Sequence, residues 1–166
     1  MQRALIISTQ STHQAEICSA FNSTVRVKII ADVNKAIRAM DQARYDIIFA
    51  DLGPLEQLAM QTSREHVLQE LKRKSTPIEV VVMAGSEKIH QAVQWVKAGA
   101  ADILNYPLSS DQVRLVTDAV AASALRQSEL DYLRDQFWKA DTLEVVRTKS
   151  AAMRDVFTTP SHPHEI

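Results

Sequence analysis

Cys18 is the one cysteine in 166 residues, so no disulfide can form within the chain, and a reducing compartment is the simpler expectation. Glycine is nearly as scarce. With three in the whole chain, a glycine-rich nucleotide-binding loop is all but excluded. Excess charge is missing as well: 19 Lys and Arg against 20 Asp and Glu leave a formal net charge of −1. That balance gives no broad attraction to nucleic acid or to anionic membranes. No apolar run reaches the roughly 18 residues that a membrane span needs. The opening "MQRALIISTQ" has no signal-peptide layout. A cytoplasmic protein is expected, in direct contact with neither membrane nor nucleic acid. A nucleophile elbow and a Cys–His pair are also absent from the sequence, so no enzyme is expected.

What is present is an ordinary soluble composition, 46% hydrophobic and 23% charged, with length enough for one full core. Short apolar runs alternate with longer stretches of helical period. Strands are expected at 3–8, 25–30, 46–50, 78–83 and 102–105, and helices at 12–22, 32–43, 55–74 and 87–98. Asp32 is a helix N-cap by position, and Gly99 closes the fourth helix. In that helix Ile89, Val93 and Val96 are expected to face inward. Strict β–α alternation predicts a doubly wound parallel sheet with helices on both faces. In such sheets chemistry sits at the carboxyl ends of the strands. Ser8, Thr9, Asp51, Ala84 and Tyr106 fall at such ends and should surround one pocket.

The last helix starts near Ser109 or Ser110, with Val113, Val116 and Val120 facing the sheet. Its period then continues without Gly or Pro to at least Ala140, about 45 Å of helix. Leu130, Leu133, Phe137 and Ala140 recur at 3–4–3 spacing, which predicts a helix-pair or coiled-coil seam between two copies of the chain. Folding back onto the domain is the competing reading. The organisation expected is a domain over 1–124, a linker helix over 125–145, and over 146–166 either the start of a following domain or a disordered tail.

The words "ADVNKAIRAM", "YDIIFAD" and "KAGAADIL", with Pro107 just after the fifth strand, follow in an order and spacing that resemble the receiver domain of two-component response regulators. The resemblance covers residues 3–124 and implies the flavodoxin-like, or CheY-like, five-stranded parallel sheet. A long helix followed by "VVRTKSAAMRDVF" looks like the NtrC-type activators of the alternative sigma factor, where similar words open an ATPase domain.

A receiver of that family moves a phosphoryl group from a histidine kinase onto an aspartate, a reaction that rests on positioning and charge stabilisation. The resemblance puts Asp51 at the phospho-acceptor position. It puts Ser8 and Thr9 where an acidic pair would hold Mg²⁺, Ala84 where a hydroxyl is needed, Tyr106 where a lysine is needed, and Ile103 in place of a switch aromatic. Phosphorylation brings nearly two negative charges, and here both the metal-binding acids and the lysine that would balance them are lost. The expectation is a degenerate site with no cofactor, Mg²⁺ entering only if the site works after all. For Tyr106 two readings stand: its ring fills the vacated pocket and its hydroxyl reaches Asp51, or it is a partly exposed strand-end residue. The peptide bond to Pro107 is open to the cis form.

His13, His66 and His90 lie on separate expected helices and read as packing or solvated residues, and Trp95 and Trp138 as packing residues. "HPHE" (162–165) is a weak metal candidate, and "LKRK" (71–74) a basic helix end. The function expected is a regulatory module acting through dimerisation, in a longer parent chain with an ATPase domain, or a naturally short homologue. A histidine kinase or another signalling protein would be its partner. Two alternatives are a working phospho-acceptor at Asp51 in a phosphorelay and a small-ligand or flavin-binding protein on the same fold.

Overall fold

The computed structural model describes residues 1–73 and 77–158, the backbone alone over 144–158. The "HPHE" word and the end of the 146–166 segment lie outside the described residues. Five strands, β1 (Arg3–Ile7), β2 (Arg26–Ile30), β3 (Ile47–Asp51), β4 (Glu79–Ala84) and β5 (Asp102–Asn105), alternate with helices. The helices are α1 (Ser11–Ala20), α2 (Val33–Ala39), α3 (Leu52–Ala59), α4 (Arg64–Lys72), α5 (Ile89–Ala98) and α6 (Ser110–Thr158). The strands form one sheet in the order β2-β1-β3-β4-β5, every pair parallel. This is the CheY-like receiver fold.

Strand side chains alternate between two cores, which is why the strands read as continuous apolar runs. Leu5, Ile7, Ile48, Ala50, Val80 and Val82 pack under α2, α3, α4 and α5. Ala4, Ile6, Ile47, Phe49, Val81 and Met83 pack against α1 and the start of α6, where Val113 and Val120 are buried and Val116 partly so. Each buried Leu, Ile, Val, Phe or Met among them stabilises the fold by about 1.5–3 kcal/mol relative to exposure. Asp32 caps α2 by accepting from Lys35 N at 2.9 Å. Gly99 ends α5 with φ 124°, a left-handed conformation that favours glycine.

Three expectations need correction. The single helix over 55–74 is two helices, because Ser63 caps a fresh start by accepting from His66 N at 3.1 Å. Glu56 spans the break: it takes Arg64 Nε at 3.0 Å and the indole N–H of Trp95 at 2.8 Å. That indole sets the rotation of α5. Trp95 and Ala92 are buried, while Val93 and Val96 lie outward, 38% and 37% exposed. Burying a whole tryptophan outweighs burying two valines. Trp138, by contrast, is exposed rather than packed.

The chain divides into two units, Met1–Ala124 and Leu125–Ile166. In the second, Leu130, Leu133 and Phe137 are 57%, 58% and 76% exposed, and Ala140 is exposed too. Among the described residues no helix is long and apolar enough to cross a membrane.

Candidate functional site

Ile7 of β1 pairs with Ala50 of β3 in register, so Ser8 and Asp51, one residue further on, close neighbouring strand ends. β1 lies between β2 and β3, which places these two ends where the strand order reverses. Asp51 is the last residue of β3 and 7% exposed. It stands at the N-cap of α3, yet its carboxylate caps no backbone N–H there. The carboxylate turns to the β5 end instead.

There the Tyr106 hydroxyl donates to Asp51 Oδ1. Tyr106 is placed by its N–H, which donates to Ala84 O at 3.0 Å; its peptide bond to Pro107 is cis. The structure has a feature of each reading of Tyr106: the hydroxyl reaches the acid, and the residue stays partly exposed at the strand end. Burial pushes the phenol pKa well above the ordinary tyrosine range, and the hydrogen bond and negative charge of Asp51 push it further the same way.

His13, in the first turn of α1, completes the cluster. Its ring stacks on that of Tyr106, centroids 3.8 Å apart and planes 7° from parallel. Its Nδ1 lies 3.3 Å from Asp51 Oδ1. The approach lacks hydrogen-bond alignment, which leaves this buried nitrogen without a hydrogen-bond partner. Reading His13 as one of three unconnected histidines missed it. The usable signal was its place five residues after Ser8, on the turn that must pass over the strand ends.

The other expected positions do different work. Ser8 is fully buried and holds the β1–α1 turn: its Oγ accepts from Gln10 N at 3.1 Å, and its carbonyl from Gln14 Nε2 at 2.9 Å. Thr9 is exposed. Ala84 is buried and offers only its carbonyl. Ile103 packs partly buried against the α2–α5 core. The five strand-end positions do not share one pocket. The nearest cavity is lined by Tyr106 together with His13 and Glu16, while Ser8, Thr9, Asp51 and Ala84 are not part of its lining.

Mg²⁺ does not fit these residues. A hard divalent ion needs several oxygen ligands with charge among them. Here Asp51 is the lone acid, its Oδ1 already accepts from Tyr106, and Ser8 Oγ is committed to the turn. Among the described residues no group of three or more His, Cys, Asp or Glu could hold a metal ion.

No protein-family model matches the chain. The transcriptional regulatory protein ZraR of Klebsiella oxytoca is 28% identical over 103 residues, 60% of this chain and 22% of that protein. The chain thus spans about a fifth of that relative's length. A crystal structure of NtrX from Brucella abortus superposes with a TM-score of 0.66 at 18% identity, over 79% of this chain and 29% of that one. The isolated receiver domain of the same protein gives 0.57 at 21% identity, over 70% and 96%.

Proposed function

We propose that the chain is a degenerate response-regulator receiver, a regulatory module that works by protein contact without metal-dependent phosphorylation of Asp51; its receiver fold and its 28% identity with ZraR over 103 residues support this reading. One observation carries the reading: the Asp51 oxygen that a phosphoryl group or cation would approach is taken by the Tyr106 hydroxyl, under a stacked histidine. Two added negative charges would meet a phenol and a largely buried imidazole there, with neither metal nor lysine. Metal-ion charge stabilisation is worth several kcal/mol, and each ~1.4 kcal/mol is tenfold in rate. Slow chemistry is the least consequence.

Dimerisation is the output we propose. Leu130, Leu133, Phe137 and Ala140 form the seam, on the linker helix over 125–145. Exposed leucines and a phenylalanine on one helical stripe favour pairing with a second copy. In a longer parent chain this seam would set the spacing of ATPase domains, as the sigma-factor activators suggest. A histidine kinase or another signalling protein would supply the input.

Titration of the chain with Mg²⁺ and beryllofluoride, followed by backbone amide resonances around Asp51 and Tyr106, tests the reading. Unchanged resonances are expected. Saturable shifts would favour a working phospho-acceptor.

A further inference from the structure

A cavity of about 510 Å³ opens beside the Asp51 cluster, within the size range of small-ligand sites. Glu16 of α1 and Glu87 of the turn before α5 line it. His13 and Tyr106 add aromatic surface, and Pro107 and Leu108 apolar surface. No lysine or arginine is among its lining residues. Its field is therefore negative, and a cation is what it would concentrate.

The side chain of Glu87 is exposed at the cavity's edge and its carboxylate lies over Gly85. It occupies the space in which a side chain on Gly85 would begin. Gly85 itself has φ −72°, which any residue adopts. A cavity with aromatic and apolar surface and two carboxylates at its edge selects among cations. A compact metal ion would want more oxygen ligands than are offered. A guanidinium is planar, always charged, donates to carboxylates and stacks on aromatic rings, while its alkyl stem suits a proline and a leucine.

We propose that this cavity binds a guanidinium group, carried by a free guanidino compound or by an arginine of a partner protein. The proposal stands on the cavity and not on the silence of Asp51, whose phosphorylation is read by a separate measurement.

Calorimetric titration of the full chain tests it with two probes, agmatine and the capped tripeptide Gly-Arg-Gly. Saturable binding of agmatine supports a free compound as ligand; binding of the peptide alone supports a partner's arginine. Glu16→Gln combined with Glu87→Gln should weaken binding by about tenfold, with Glu65→Gln on α4 as an unaffected control. Absence of saturable binding by either probe overturns the proposal. So does binding that the Glu16 and Glu87 substitutions leave unchanged.

Discussion

The imidazole of His13 lies flat on the phenol of Tyr106, 3.8 Å between centroids. Both rings bring a polar atom to the same oxygen, Asp51 Oδ1. A stacked aromatic pair is worth about 0.5–1.5 kcal/mol beyond the area it buries, so each ring helps hold the other over the acid. The end of β3 is in this way covered by side chains from α1 and from the β5 end.

Removing only the hydroxyl measures that cover. Tyr106→Phe keeps the ring for His13 but leaves Asp51 without its donor. Hydrogen bonds to charged groups are worth about 1.5–3 kcal/mol, and urea melts at neutral pH should show a loss of that size. A loss well under 0.5 kcal/mol would mean that the bond contributes little.

Alkali gives a second handle. Tyr106 keeps its proton above the ordinary tyrosine value of 10.0 through burial first and Asp51 second. Tyr45 shifts the same way through burial, opposed by Arg3. Above about pH 10 the unfolded chain has released phenolic protons that the folded chain retains. Stability is therefore intact below that pH and falls as pH rises past it. Melts between about pH 8 and 11.5 should show the decline, and Tyr106→Phe should flatten it. An equal slope in both proteins would contradict the assignment.

Glu56 holds three helices through Arg64 and Trp95. Glu56→Ala strands a buried indole N–H, at a cost of about 1–3 kcal/mol. Trp95→Ala removes a wholly buried side chain, at about 3–5 kcal/mol. Arg64→Ala, at a side chain 35% exposed, should cost under about 1 kcal/mol. Chemical denaturation of the three variants should return that order, and Arg64→Ala costing most would refute the network as described.

On the linker helix, Leu133→Asp with Phe137→Asp places charge on the stripe through which we propose dimerisation. Light scattering should show a dimer for the parent chain and a monomer for the variant, with unchanged secondary structure. A monomeric parent chain would remove the seam from the account.

The fold was legible because period speaks plainly when both sheet faces are covered: "IIFAD" and "VVVM" have no polar side to conceal. The helix break was harder to see, since Met60 and Gln61 continue a helical composition and Ser63 signals only as a cap. The rotation of α5 depended on the distant partner Glu56, which local spacing cannot reveal. The acid itself was legible as a strand-end residue, although Gly53 and Pro54 after it open α3 rather than a turn. His13 was not, because its meaning comes from Tyr106, 93 positions later in the chain and adjacent in space.

The most direct measurement is the intact mass of the chain after incubation with acetyl phosphate and Mg²⁺, beside Asp51→Asn. The account requires the unmodified mass for both proteins. A labile phosphoryl adduct on the parent chain, absent from Asp51→Asn, would show that the covered acid is a working acceptor.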